Sequence, residues 1–154
     1  MIDIKRSGSR VEKQLDQAAL ACAQQGKQFT ALRRAVFALI LQAKTPATAY
    51  ELLDRLRATH KAATPATVYR ALEFLSENVL IHKVESLSAF IPCAEAARHN
   101  HAAQLYICRQ CGTVAEHEDR AVAQALGAAA AKLGFQPANI IVEIEGVCAR
   151  CAAA

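Results

Sequence analysis

The stretch TPATVYRALEFLSENVLIHKVES, residues 64–86, decides how the first half of this chain folds. Thr64 is a good N-cap, and Pro65 takes the first helical position, where a missing N–H costs nothing. Val68, Ala71, Leu72 and Leu75 recur at helical spacing and form one apolar stripe. Tyr69, Arg70 and Glu73 fall off that stripe and face outward. The helix runs directly into the strand-like VLIHKVES, and a second such run, SAFIPCA (residues 88–94), follows a short turn.

Upstream, the same reasoning gives three more helices. In residues 11–25, Val11, Leu15, Ala18, Ala19 and Cys22 share a face. FTALRRAVFALILQA, residues 29–43, forms a second helix capped by Thr30. TAYELLDRLRATH, residues 48–60, forms a third. There Thr48 and Glu51 make a capping box, and Leu52, Leu53 and Leu56 point inward. Helices followed by a polar-faced helix and a hairpin give the order of a winged helix-turn-helix, whose last helix can enter a major groove.

The second half reads differently. AEAARHNH (94–101) is a connector, QLYICRQC (104–111) and GTVAEHE (112–118) are strands, and an Ala-rich helix spans Asp119 to Leu133. Gly134 is a helix stop, and NIIVEIEGV (139–147) is a third strand. A unit of about 60 residues has a marginal core and needs a metal or a partner chain to hold it. The fold class expected is α+β. The winged helix is placed at residues 1–90, a connector at 91–101, and a small α/β dimerisation domain at 102–154.

Charge divides the chain in the same place. Residues 1–84 carry 13 Lys and Arg against 7 Asp and Glu, and the remainder carries 5 against 7. The basic half is suited to an anionic partner. The N-terminal MIDIKRSGSR is polar, and no long apolar run follows, so neither a signal peptide nor a membrane span is expected. The compartment expected is the cytoplasm, where six cysteines point to metal or redox chemistry rather than disulfides.

Five of the six cysteines lie in the second half. Cys108 and Cys111 form one CxxC pair, and Cys148 and Cys151 form another. Four thiolates suit tetrahedral Zn²⁺, which would clamp the last strand onto the first hairpin of the α/β unit. A dithiol redox site needs a single CxxC at a helix start, not two paired sets. Cys22 is a buried apolar residue on its helix. His82, Cys93, His99, His101, Glu116, His117 and Glu118 each have a structural explanation when taken singly: His82 as a solvated wing residue, Cys93 as a small core hydrophobe, Glu116 as a surface charge. Gathered where the two halves meet, two histidines, a cysteine and a carboxylate can complete a second tetrahedral site.

At this point the chain resembles the ferric uptake regulator family, and within it the zinc uptake regulator branch. TPATVYRALEFL, HKVES, FIPC, HAAQLYICRQCG and GVCARC carry the resemblance in that order. The resemblance implies a dimeric, metal-dependent repressor, with no enzymatic activity, that binds double-stranded operator DNA and needs neither a membrane nor a small-molecule substrate. It implies two zinc ions per chain. Cys108, Cys111, Cys148 and Cys151 match the family's structural site, and His82, Cys93, His101 and Glu116 match the zinc sensors' regulatory site. Tyr69 and Arg70 match the base-reading pair, and Thr67, Arg33, Lys61 and Lys83 are the further DNA contacts. Iron sensors of the family carry an acidic residue where Cys93 stands, and a His-rich run where Ala102, Ala103 and Gln104 stand. A thiolate favours zinc over Fe²⁺. The family's Thr-Pro-Gln-Arg helix start is reduced here to Thr30-Ala31-Leu32-Arg33. His99, His117 and Glu118 are read as solvated.

Three rival readings remain. A family member sensing iron or manganese would keep the fold and change the second site. A zinc hydrolase would use Glu116 or Glu118 as general base, but it needs an open metal position and no HExxH helix is present. A zinc-buffering protein without DNA binding would not need the basic half or the Tyr69-Arg70 helix.

Overall fold

The computed structural model describes residues 4–94, 96 and 101–153, with side-chain surroundings from residue 8 onward. They divide into two compact units, Met1–Cys93 and Ala94–Ala154.

The first unit contains helices α1 (Ile4–Gln24), α2 (Ala31–Gln42), α3 (Ala49–Leu56) and α4 (Pro65–Glu77). Its strands are β1 (Ala47–Thr48), β2 (Ile81–Val84) and β3 (Ala89–Pro92), in the order β1-β3-β2. Capping side chains fix the helix starts. Thr30 accepts from the Arg33 N–H. Thr48 and Glu51 close a reciprocal box, Glu51 N–H to Thr48 Oγ1 at 3.2 Å and Thr48 N–H to Glu51 Oε2 at 2.8 Å. Those Thr48 donors hold the Glu51 carboxyl below the usual carboxylate range. Each such cap is worth about 1 kcal/mol.

The stripes read from sequence are the stripes that are buried. Val11, Leu15, Ala18 and Cys22 of α1 meet a core that includes Ile40, Leu52, Leu56, Val68, Leu72 and Leu75. Burying a side chain of this size contributes roughly 1.5–3 kcal/mol. Across the surface, Arg34 of α2 reaches Glu12 at 2.7 Å and Asp16 at 2.8 Å, one turn apart on α1. The β2–β3 hairpin is antiparallel, with His82 opposite Ile91, and β1 adds Ala47 opposite Phe90. Two residues are too short a run to show a period, so β1 has no sequence signal.

The second unit is a three-stranded sheet, order β5-β4-β6, with two helices. Its elements are β4 (Ala102–Cys108), β5 (Val114–His117), α5 (Arg120–Lys132), β6 (Ile140–Gly146) and α6 (Ala149–Ala152). β4 pairs antiparallel with β5 and parallel with β6. Asp119 caps α5 by accepting from the Ala121 and Val122 N–H groups. Gln104, fully buried on β4, donates to the Asp119 carbonyl at 3.1 Å and so ties the central strand to that cap. Among the described residues, every buried hydrophobic side chain of this unit lies on β4. Val122, Leu133, Phe135, Ile141, Ile144 and Val147 stay substantially exposed.

Three helices end in one hydrogen-bonding pattern. After α1, Gly26 N–H reaches Ala23 O and Lys27 N–H reaches Cys22 O; after α5, Gly134 and Phe135 repeat it. Both glycines have φ near +70°, at +69° and +66°. After α4 the same two bonds run from Val79 to Ser76 O and from Leu80 to Leu75 O, but the left-handed residue is Val79, at φ +53°. Outside glycine that conformation costs about 1–2 kcal/mol. Val79→Gly is therefore expected to raise thermal stability by about 1 kcal/mol, because relief of backbone strain outweighs the loss of a half-buried side chain. Thermal or urea unfolding of the two proteins checks the sign.

Candidate metal centres and recognition helix

The paired cysteines are assembled by the sheet. Cys108 ends β4, and a tight turn follows in which Gly112, at φ +70°, donates to the Cys108 carbonyl. That turn swings Cys111 back beside Cys108. On the other side, Arg109 N–H bonds Gly146 O and extends the parallel β4–β6 ladder. Cys148 then caps α6, and Cys151 lies one turn into it. The parallel ladder is thus what brings the second pair, 40 residues away, to the first.

The four sulfurs lie within 4.8 Å of one another, with Cys111 Sγ 3.8 Å from Cys148 Sγ. Four thiolates about 2.3 Å from a tetrahedral zinc ion are about 3.8 Å apart, so the donor set fits that ion. Backbone N–H groups of Cys111 and then Cys148 pull the Cys108 thiol down to about 6. Hydrogen bonds with Cys148 and Cys111 push Cys151 up to about 12. The cluster therefore shares its protons unequally, and a metal ion that enters must displace those that remain.

Cys93 and His82 come together within the first unit. The Cys93 N–H bonds Leu80 O at 2.9 Å, which continues the hairpin ladder one pair beyond Ile81 and Pro92. Side chains alternate along a strand, so Cys93, opposite Leu80, shares a face with His82 as its diagonal neighbour. Both are about 5 % exposed. His82 is therefore not the solvated wing residue that its position in the sequence allows, whereas Cys93 is buried as read.

His101 and Glu116 come together within the second unit. His101 Nε2 lies 3.0 Å from Glu116 Oε1, with side-chain exposures of 2 % and 6 %. Glu116 stands on β5 opposite Leu105, and its other oxygen, Oε2, accepts the Ala94 N–H at 2.7 Å. This last bond has no sequence signature, because any residue but proline offers a backbone donor. His117 is exposed on β5 and Glu118 is half-buried; His99 lies outside the described residues.

On α4, Val68, Ala71, Leu72 and Leu75 are buried while Tyr69 is 60 % exposed and Arg70 is exposed beside it. Lys61 is exposed just before the helix, and Lys83 is on the wing within 2.6 Å of Glu85. Two of the expected contacts are also engaged in holding the fold. The Thr67 hydroxyl completes the α4 capping box by accepting from the Thr64 N–H at 3.3 Å. The Arg33 guanidinium lies 3.6 Å above the Phe74 ring and donates to the Gln28 carbonyl. That stacking of an arginine on an aromatic face fixes its position. Among the described residues, no helix is long and apolar enough to cross a membrane.

The model of the ferric uptake regulator family matches residues 24–145. The zinc uptake regulation protein of Escherichia coli (strain K12) is 38 % identical over 137 residues, covering 89 % of this chain and 80 % of that protein. A zinc uptake regulator complexed with zinc and DNA superimposes with a TM-score of 0.88 at 36 % identity, over 93 % of this chain and 95 % of that one. Holo XcZur superimposes with a TM-score of 0.83 at 43 % identity, over 91 % and 97 %. The chain belongs to the ferric uptake regulator family.

Proposed function

We propose that this protein is a cytoplasmic, zinc-responsive transcriptional repressor that binds operator DNA as a zinc-loaded homodimer and represses zinc-uptake genes. The observation that carries the reading is the split on α4. One face is locked into the core, and the other presents Tyr69 and Arg70 to solvent in a chain built like a zinc uptake regulator solved with zinc and DNA.

Each residue then has a task. Tyr69 packs its ring on a thymine methyl, and Arg70 donates two hydrogen bonds to a purine edge. Arg33, Lys61 and Lys83 meet phosphate and set the docking register, with Thr67 at the helix start beside them. The paired recognition helices of a dimer read two half-sites related by the protein's two-fold axis. Residues 1–90 serve as the DNA-binding domain, 91–101 as the connector and 102–154 as the dimerisation domain. The exposed Val122, Leu133, Phe135, Ile141 and Ile144 of the second unit give that dimer an apolar surface to bury.

Two zinc ions per chain are assigned. Cys108, Cys111, Cys148 and Cys151 hold the structural ion. His82, Cys93, His101 and Glu116 hold the regulatory ion. Two imidazoles, a thiolate and a carboxylate favour zinc over the harder Fe²⁺ and Mn²⁺.

Operator binding titrated against buffered free zinc, with iron and manganese as controls, tests the function. Affinity is expected to rise with zinc and not with the other two. A chain that binds DNA equally well at all zinc levels would not be a zinc sensor. Cys93→Ser removes the thiolate but leaves the four-cysteine staple. It is expected to stay folded and retain one zinc per chain by native mass spectrometry, while losing the zinc-dependent tightening; a normal response would place the regulatory metal elsewhere. Arg70→Ala is expected to cost about 1–3 kcal/mol on operator DNA and far less on random DNA. Equal losses on both would show that Arg70 meets phosphate only.

A further inference from the structure

We infer that the backbone N–H of Ala94 holds Glu116 to one-oxygen coordination and thereby makes the regulatory site reject iron and manganese. This inference rests on the assignment of His101 and Glu116 as metal ligands.

The two oxygens of Glu116 stand in different surroundings. Oε1 lies against His101 Nε2 at 3.0 Å, the side on which a shared ion would sit. Oε2 accepts the Ala94 N–H at 2.7 Å. A bond this short from an amide to a carboxylate is charge-assisted and about twice as strong as a neutral one. The Glu116 side chain is 6 % exposed, although the Ala94 end of the bond faces solvent. The donor lies within the same unit as the carboxylate.

The consequence is one of ligand number. With Oε2 turned toward the Ala94 N–H, Glu116 gives one oxygen, and the set totals two nitrogens, one sulfur and one oxygen. Four donors satisfy tetrahedral zinc. Octahedral ions that favour oxygen, such as Mn²⁺, are left short, and recruiting Oε2 as a further ligand means turning the carboxylate and weakening the Ala94 bond. Ala94 is a positioning residue: it acts on the ion only through the carboxylate that it orients.

Ala94→Pro deletes the donor, and Ala94→Gly keeps it as a control. With zinc retained at the four cysteines, Co²⁺ is added to the second site and its visible absorption is recorded. The parent and Ala94→Gly should give the intense d–d bands of tetrahedral cobalt. Ala94→Pro should give the weaker bands of a higher coordination number. Its zinc affinity should fall about 10- to 100-fold, the range for loss of an outer hydrogen bond to a ligand, and its preference for zinc over Mn²⁺ should shrink. Should Ala94→Pro shed the staple zinc and unfold, a ligated chain with a backbone ester at residue 94 removes the same N–H and carries the same expectation. A parent-like cobalt spectrum and zinc–manganese ratio in the donor-deleted protein would overturn this inference alone. A parent that takes no metal beyond the four-cysteine equivalent would overturn the regulatory-site assignment and this inference with it.

Discussion

The parallel pairing of β4 with β6 is the constraint on which the second unit depends, and the proposed zinc at the four cysteines, whose sulfurs it brings together, would secure it. β4 carries that unit's buried hydrophobic residues, among those described, while β6 and α5 contribute none. A parallel pair also needs a long crossover, here through β5 and α5, so its closure entropy is paid before its contacts form. Cys108 and Cys111 at one end of β4, and Cys148 and Cys151 just past β6, close that crossover where its two ends meet. Structural zinc contributes on the order of 10 kcal/mol of apparent binding energy to small domains. That is comparable with the whole stability of an ordinary domain.

The first unit depends on nothing of the kind. Its apolar stripes meet around Leu15, Ile40, Leu52, Val68 and Leu72, and its helix starts are fixed by Thr30, Thr48 and Thr64. The same helix, α4, supplies both a core face and an outward face. Its rigidity is therefore also the rigidity of Tyr69 and Arg70. Thr67 and Arg33 show this economy most plainly, because each is engaged in the fold at a position expected to meet DNA. Val79, strained at the end of α4, sits between that helix and the strand carrying His82.

Much of this was legible in the sequence. Period and caps were strong enough to place all four helices of the first unit, the capping box at Thr48 and the proline start of α4. The CxxC spacing named the four thiols. Three things were not legible, for physical reasons. β1 is two residues long and shows no period. α6 is a single turn whose start, Cys148, is also a thiol of the cluster. The Ala94 bond to Glu116 is made by a backbone group, which leaves no trace in residue identity. His82 illustrates a different limit: a histidine on a wing reads as solvated, and only the fold shows it to be buried beside Cys93 on one hairpin face.

The central claim is that zinc at the four cysteines holds the second unit together while the first stands on its own core. Amide hydrogen exchange read by mass spectrometry, with and without zinc stripped from the full chain, tests it most directly. The account predicts that protection across β4 and β6 collapses on zinc removal, while α2, α3 and α4 keep theirs. Retained protection of β4 and β6 in the zinc-free chain, or equal loss in both units, would contradict it.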